Sequence, residues 1–169
     1  MRRRWYALLA GILVLALLLI ILHAAIPIYR TDSAGMAPCI GSGQRIFANR
    51  LAYSPLFHRQ PQRGDVVVAR TPEYNSPKHL GVKRIVALGG DTVMIQGGQV
   101  WLNGHILDEP YVQQPSSYTY PPSGGALTVP SGEMFLLGDT RTVSVDSHIY
   151  GPVPVTNIIG EVINGCHAV

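Results

Sequence analysis

The sequence predicts a mainly β domain behind one N-terminal helix that is long enough to cross a membrane. Three features indicate this class. The chain starts with an uninterrupted apolar segment. Several later runs combine β-branched or alternating apolar residues with Gly and Pro at their ends, as strands do. Finally, Asn103-Gly104, a pair preferred in two-residue hairpin turns, lies between two apolar runs.

The first element is predicted to be a transmembrane helix over residues 5–28. Residues 5–22 contain no charged or strongly polar side chain. As a helix this run would be roughly 27 Å long, about the thickness of the hydrocarbon core of a bilayer. Membrane lipid is therefore an expected partner of the chain.

Arginines at positions 2–4 predict the orientation of this helix. The positive-inside rule places residues 1–4 in the cytoplasm and residues 29–169 outside it. A cleaved signal peptide is the alternative interpretation. The apolar run is longer than a signal peptide needs. If cleavage followed Ala25, His23 would occupy position −3, where it is a poor residue. Under either interpretation the domain is exported.

Charge and cysteine content exclude some classes of function. The net charge is +3, but four of the 13 Lys and Arg flank the apolar run, which leaves nine against ten Asp and Glu. We expect no nucleic-acid partner, because no basic surface remains to neutralise phosphates. No metal or cofactor motif is present. Cys39 and Cys166 could pair outside the cytoplasm, but we favour two small buried apolar residues.

The domain after the helix reads as a series of short strands. The predicted strands are residues 63–69, 82–91, 134–137 and 158–162, with a hairpin over 92–107. Polar loops are predicted over 71–80 and 115–125. Five of the six histidines, at positions 23, 58, 79, 105 and 167, are scattered, and we expect them to be structural or solvated.

Lys83 is the residue of this series with the most distinctive position. Strand alternation places it on one face with Ile85 and Ala87. An ammonium among apolar groups is destabilised, which is how a lysine becomes a neutral general base. From the residues alone, a lysine that extends its amine to water from a sheet edge is the better interpretation.

The segment that follows the apolar run contains Ser33-x-Gly35-Met36-x-Pro38. It resembles the Ser-x-Ser-Met-x-Pro box of type I signal peptidases, the membrane-anchored serine endopeptidases that remove signal peptides from exported proteins. Ser33, Met36 and Pro38 match the box and fix its register. Gly35 therefore stands at the position of the family's nucleophilic serine.

Three later segments resemble the remaining boxes of this family, in the same order. They are the Arg-Gly-Asp run at 63–68, the Lys83-Arg84 strand, and residues 138–151. The last is the most specific, because the family pattern is Gly-Asp-Asn-Arg-x-x-Ser-x-Asp-Ser-Arg-x-x-Gly. The matching residues are Gly138, Asp139, Arg141, Ser144, Asp146, Ser147 and Gly151. Thr140 replaces the family's Asn, and His148 replaces its second Arg.

The resemblance implies a mostly antiparallel, barrel-like signal peptidase domain over residues 29–169. It also implies an activity, the cleavage of N-terminal signal peptides from exported precursors at the outer membrane face. In the family a serine attacks the scissile carbonyl, a neutral lysine accepts its proton, and donors stabilise the oxyanion. The expected partners are signal peptides or precursors with small residues at positions −1 and −3.

The resemblance further implies roles for individual residues. Lys83 takes the position of the general base, Ser33 that of an oxyanion donor, and Ser144 that of the residue that orients Lys83. The supporting positions are Met36, Pro38, Arg84, Asp139, Arg141 and Asp146, whose charged members are expected to form ion pairs that brace the site. His148 weakens one such pair, because an imidazole is a weaker cation than a guanidinium at neutral pH.

Glycine has no side chain, so Gly35 can neither attack a carbonyl nor form an acyl-enzyme. The sequence therefore predicts a protein that binds precursor peptides with little or no cleavage. Thr140 and His148 favour a natural non-cleaving relative over an active enzyme whose serine was replaced, because a simple replacement would leave the other boxes intact.

Several alternatives remain. Ser33 could serve as a relocated nucleophile, although in an extended segment it would lie roughly 6–7 Å from position 35. Cys39 is worse placed, beyond Pro38. A triad of Ser144, Asp146 and His148 is disfavoured, because three residues so close in a strand-like run cannot readily converge. A non-enzymatic membrane-tethered assembly factor, or a structural or adhesion β module, is the remaining class.

Overall fold

The computed structural model describes residues 2–55, 57, 59–73 and 79–165. It begins with helix α1 (Arg2–Ala25), whose residues Leu8–Ala25 have a mean hydropathy of 2.9. By length and composition alone, this is a helix that could cross a membrane. It ends earlier than the predicted 5–28, because Pro27 disfavours helical conformation in the residue before it.

Eleven strands follow among the described residues, and they form two antiparallel sheets. The larger sheet has the order β1-β2-β11-β3-β4-β9-β10. Its strands are β1 (Ile28–Arg30), β2 (Arg45–Asn49), β3 (Val66–Arg70), β4 (Leu80–Leu88), β9 (Glu133–Leu137), β10 (Val153–Pro154) and β11 (Ile158–Val162). The predicted mainly β, antiparallel class is therefore correct.

The smaller sheet has the order β7-β6-β5-β8. Its strands are β5 (Thr92–Gln96), β6 (Gln99–Leu102), β7 (His105–Ile106) and β8 (Leu127–Thr128). The sequence predicted one hairpin over 92–107, and the structure has two. Asn103-Gly104 forms the β6–β7 turn with both φ angles positive, as a type I′ turn requires. Gly97-Gly98 forms the β5–β6 turn in the same way.

Strand β4 lies in the interior of the larger sheet, between β3 and β9. Its predicted alternation holds from Lys83 to Ile85, and the register then shifts between Ile85 and Ala87. As a result Ile85 packs in a cluster with Met134 and Leu136, whereas Ala87 joins the core beneath the smaller sheet. Lys83 is therefore on a central strand, so the prediction of a sheet-edge lysine is wrong.

Two regions differ from their predicted local structure. Residues 139–146 form turns that lead into the short helix α2 (Ser147–Tyr150), where a strand-like run was expected. The side chain of Asp146 caps this helix by accepting a hydrogen bond from the backbone N–H of His148. The loop over 115–125 is not simply a surface loop, because Tyr118 and Tyr120 pack against the core.

Candidate active site

A cavity of about 450 Å³ lies between the Ser33–Pro38 segment and strand β4. Apolar side chains from the adjacent core line part of it, among them Ile40, Ile46 and Val68. The polar lining includes residues of two predicted boxes and two residues that the sequence did not single out. These polar residues are Ser33, Glu73, His79 and Lys83.

Thr140 holds the Ser33–Pro38 segment in place. Its backbone N–H donates to the carbonyl oxygen of Gly35 at 3.0 Å. Its hydroxyl lies 2.8 Å from the carbonyl oxygen of Ala34 and 2.9 Å from that of Ala37, and it can donate to one of them at a time. The replacement of the family's Asn by Thr140 thus leaves this segment anchored to the 138–151 box.

Gly35 has room for a side chain in an ordinary backbone conformation. A Cβ added there would lie 3.2 Å from Ser33 Oγ and 3.5 Å from Ser144 Oγ. Gly35 is not among the residues with positive φ. A Cβ at position 35 would therefore require Ser33, an exposed residue, to move its hydroxyl by only a few tenths of an ångström.

Ser33 lies closer to position 35 than the sequence predicted. The segment is a turn, not an extended run, and the backbone N–H of Gly35 donates to Ser33 Oγ at 3.0 Å. The hydroxyl therefore lies beside the space where the family's serine would be. The distance argument against Ser33 as a relocated nucleophile, which assumed an extended backbone, is wrong.

Lys83 is buried, and its amine makes polar contacts. Its Nζ donates to Ser144 Oγ at 3.2 Å and lies 2.9 Å from Glu73 Oε1. Only 5% of the Lys83 side chain is exposed. The expected contact with Ser144 is present. The carboxylate of Glu73 beside the amine was not foreseen.

Glu73 and His79 are the site residues that the sequence analysis missed. Glu73 Oε2 lies 2.8 Å from His79 Nε2, while its other oxygen contacts Lys83. Both residues belong to the connection between β3 and β4, which was read as a polar loop. His79 was expected to be structural or solvated, and it instead lines the cavity as a partner of Glu73.

Gly138 allows Ser144 to reach Lys83. A Cβ at Gly138 would overlap Ser144 Oγ and come within contact of the carbonyl oxygen of Gly35. Only glycine fits here, because the 138–151 box and the Ser33–Pro38 segment approach each other across this backbone. The glycine at position 138 is thus explained by the close approach of Ser144 and of the Gly35 carbonyl oxygen to its backbone.

Arg84 and Asp139 form the main buried ion pair beside the site. The guanidinium donates to both oxygens of Asp139, at 2.8 and 2.7 Å, and to the carbonyl oxygen of Gly64 at 2.9 Å. Tyr111 stacks on it, with the guanidinium carbon 3.9 Å from the ring centre. The expected brace between Arg84 and the 138–151 box is therefore present.

Arg141 pairs outside its own box. Its guanidinium contacts both carboxylate oxygens of Glu109 and donates to the carbonyl oxygen of Gly138 at 3.1 Å. Burial disfavours the charged guanidinium, but the Glu109 carboxylate outweighs it and raises the pKa of Arg141. Burial, followed by the charge of Glu109, raises the pKa of the Tyr111 phenol. The sequence did not name Glu109 as this partner.

Asp146 and His148 contact each other, although a strand-like run was expected here. The Nδ1 of His148 lies 2.6 Å from Asp146 Oδ1 because the segment turns into α2. The imidazole stacks on Tyr118 at 3.8 Å. Burial, followed by the charge of Asp146, raises the pKa of the Tyr118 phenol. Ser144 contacts Lys83 and not this pair, so the structure does not assemble the disfavoured triad.

The remaining predicted residues of the first box lie at the edge of the cavity. Met36 is buried in the cluster that contains Ile40 and Ile46 and lines the cavity. Pro38 follows a cis peptide bond. Cys39 is in a disulfide, so the expectation of a simple buried thiol is wrong for it. Cys166, together with His58 and His167, lies outside the described residues.

This fold corresponds to a known class of peptidase. The crystal structure of a signal peptidase I from Enterococcus faecalis V583 superposes with a TM-score of 0.50 at 28% identity. The match covers 61% of this chain and 97% of that one. The antiparallel sheets and their half-barrel curl are those of signal peptidase I.

The family follows from the sequence comparison. The family model described as "Signal peptidase, peptidase S26" matches residues 2–164, and the chain belongs to this family. A probable signal peptidase I-1 of Synechocystis is 38% identical over 89% of this chain and 75% of its own length. Thylakoidal processing peptidase 1 of Arabidopsis thaliana is 36% identical over 76% of this chain, which spans 38% of that protein.

Proposed function

We propose that this chain is a signal-peptidase-fold protein that binds precursor segments in the cavity and cleaves them little or not at all. One observation carries the proposal. The position that faces Ser33 and Ser144 holds Gly35, and 3.2 Å from Ser144 Oγ lies the amine of Lys83. These contacts support a site in which Ser33, Ser144 and Lys83 surround a position that carries no attacking hydroxyl.

The missing hydroxyl removes the covalent step. Acyl transfer by a serine and a lysine needs the serine oxygen as nucleophile and the amine as proton acceptor. Transition-state donors alone retain only ~10³–10⁴-fold acceleration over water when a member of such a catalytic set is removed. We expect that remnant to be too slow for the processing of exported proteins.

Binding needs only the cavity. Its walls combine apolar side chains such as Ile40, Ile46 and Val68 with a polar side that carries Ser33 and Lys83, so a peptide segment could place small apolar side chains on one side and its scissile carbonyl on the other. We propose that it accepts the small residues at positions −1 and −3 of signal peptides. The mature parts of the precursors would remain outside it.

The helix α1 would hold this cavity at the membrane surface. Leu8–Ala25 supports a single span that ends at Ala25, and the arginines at positions 2–4 support a cytoplasmic N-terminus for residues 1–4. Residues 29–169 would then form the extracytoplasmic domain. Precursor segments emerging from the membrane would meet the site there.

A second candidate is cleavage by Ser33, and a specific observation favours it. Ser33 Oγ lies 3.2 Å from where the Cβ of a residue at position 35 would be. Against it, Ser33 accepts the N–H of Gly35, and the described contacts of the Lys83 amine are with Ser144 and Glu73. Ser33 would have to give up its present contact and find a base.

The test measures the binding and cleavage of a precursor that has Ala at positions −1 and −3. Variants of the full chain in detergent micelles are compared. The unaltered chain is expected to bind the precursor without cleaving it, and Gly35→Ser is expected to cleave it. Gly35→Ser with Lys83→Met is the control that should be inactive. Cleavage by the unaltered chain that Ser33→Ala abolishes would establish the second candidate.

The binding part of the proposal has its own outcome. The matched control is a precursor with Trp in place of the Ala at position −1. If the unaltered chain does not retain the original precursor, or retains both precursors equally, the cavity is not the binding site. The chain would then be better described as an assembly factor or structural module. Lys83→Ala would leave its interactions unchanged in that case.

A further inference from the structure

We propose that Glu73 is a positioning residue that holds Lys83 as an ammonium ion, so that a second obstacle to catalysis exists beside Gly35. The inference deepens the proposed function and rests on it for the place of Lys83 in the site. It concerns a residue in the connection between β3 and β4, outside all four boxes.

The contact is a buried ion pair. Glu73 Oε1 lies 2.9 Å from the Nζ of Lys83, and the two side chains are 7% and 5% exposed. An opposite charge this close favours the charged form of an ionisable group. Hydrogen bonds between ionised partners are also stronger than neutral ones. Burial alone disfavours an ammonium, but it also reduces the screening of the Glu73 charge by water and salt, which strengthens the effect of the carboxylate on the amine.

The carboxylate is itself held in position. Its second oxygen lies 2.8 Å from His79 Nε2, so each carboxylate oxygen has one partner. The backbone N–H of Thr71 donates to the carbonyl oxygen of His79 at 3.0 Å, which closes the base of the connection. Glu73 is thus fixed between a residue at the cavity edge and the amine.

The other groups around the amine do not compete with Glu73. Ser144 Oγ accepts a hydrogen bond from it at 3.2 Å and can do so from an ammonium. Arg30 and Asp32 also line the cavity, but both are exposed. The neighbouring cation Arg84 is paired with Asp139. Among the described residues, Glu73 is the carboxylate in contact with Lys83.

An ammonium cannot act as a general base, because it has no lone pair to accept the serine proton. With Glu73 in place, a serine restored at position 35 would face a donor instead of an acceptor. Gly35→Ser alone is therefore expected to be a slow enzyme near neutral pH, with a rate that rises in alkali. Removing the Glu73 charge should release the amine at lower pH.

The direct test labels the amine in the full chain, without relying on peptide cleavage. Acetic anhydride acetylates a neutral amine: the Nζ–acetyl bond forms, acetate leaves, and the amine loses a proton. The labelling rate of Lys83, measured by mass spectrometry, is expected to be at least about tenfold higher in Glu73→Gln than in the unaltered chain near neutral pH. The ratio should approach one in alkali, where both amines are neutral.

The matched control is Asp32→Asn, which removes one negative charge from the same cavity. It should leave the labelling rate of Lys83 unchanged. Equal rates for Glu73→Gln and the unaltered chain near neutral pH would overturn the proposal. A ratio that stays high in alkali would also overturn it, because the substitution would then have opened access to Lys83 instead of changing its protonation.

A kinetic test separates this proposal from the proposed function. In the Gly35→Ser background, Glu73→Gln is expected to raise precursor cleavage near neutral pH by at least about tenfold and to shift the pH–rate profile toward lower pH. Cleavage by the unaltered chain would contradict the proposed function and leave the labelling result standing. Unchanged labelling would contradict the role of Glu73 and leave the loss of the hydroxyl as the sole obstacle.

Discussion

Lys83 and Arg84 are consecutive buried cations on opposite faces of strand β4, and they are held in different ways. The guanidinium of Arg84 has both oxygens of Asp139, the Gly64 carbonyl and the ring of Tyr111 around it. The amine of Lys83 has one carboxylate and one hydroxyl, and it faces a cavity.

The difference separates a structural cation from one that chemistry could use. A guanidinium stays charged in proteins and matches a carboxylate in two parallel bonds, so Arg84 braces the 138–151 box. A lysine amine changes its charge readily when its surroundings change. Strand alternation lets β4 place Arg84 on one face and Lys83 on the other. Under the proposal above, Glu73 then decides whether the amine of Lys83 carries a proton.

Breaking the structural pair is expected to have the largest effect. Asp139→Asn keeps the shape of the side chain but leaves Arg84 charged and buried. Loss of one partner of a buried pair typically costs ~3–5 kcal/mol. The free energy of unfolding, measured by denaturant titration in micelles, should fall by about that amount. A loss below about 1 kcal/mol would show that water reaches Arg84 and that the two cations are held alike.

The equivalent change on the Lys83 side should cost less. Glu73→Gln leaves an amide oxygen that can still accept from the amine, and the cavity offers water to the freed cation. We expect a loss of about 1–2 kcal/mol in the free energy of unfolding by the same titration. If it equals the loss in Asp139→Asn, the contrast between the two faces of β4 is wrong.

The third change tests how firmly Thr140 holds the Ser33–Pro38 segment, in comparison with the Arg84–Asp139 ion pair. Thr140→Val removes the hydroxyl that lies between the carbonyl oxygens of Ala34 and Ala37. We expect a loss of about 1 kcal/mol in stability and weaker precursor binding, because one of these carbonyls loses its donor and the segment is held less firmly. Thr142→Val, at an exposed neighbouring position, is the control and should change neither measurement.

The sequence foresaw the elements whose pattern is local. Residues 158–162 match β11. Asn103-Gly104 forms the predicted turn, because the positive φ angles that the turn needs are a local preference of this pair. Strands β1 and β2 were missed. The mixed run 45–49 becomes a strand through its pairing with β1 and with β11, and β11 lies more than a hundred residues away. Family boxes located Lys83 and Ser144, whose contact joins residues 61 positions apart.

The sequence could not foresee what depends on tertiary approach. Glu73 is a lone acid in a polar loop, and no spacing links it to Lys83. Ser33 was placed by assuming an extended backbone, whereas Thr140 draws the segment into a turn. The contact of Asp146 with His148 was not foreseen, because a strand-like run was expected where the chain turns into α2. In the first two cases a tertiary contact decides the geometry, and in the third the local turn into α2 does.

The smallest expected effect concerns an ion pair remote from the cavity, between Arg63 and Asp91. Burial works against the Asp91 carboxylate, but hydrogen bonds from Arg63, Asn103 and the Leu88 backbone N–H outweigh it and lower its pKa. The folded protein therefore binds the proton less readily than the unfolded chain. The pair contributes stability above the ordinary Asp value of about 3.9, and this is lost as the pH falls through the lower folded value.

Arg63 is 49% exposed, so solvent screens this pair, and we expect a contribution below about 1 kcal/mol. The measurement is the free energy of unfolding against pH for the unaltered chain and Asp91→Asn. The difference between them should be constant near neutral pH and shrink below about pH 4. A constant difference down to the acid limit would mean that Asp91 acts through its hydrogen bonds to Asn103 and Leu88 irrespective of charge. The exposed pair would then behave unlike Arg84–Asp139 in kind as well as in size.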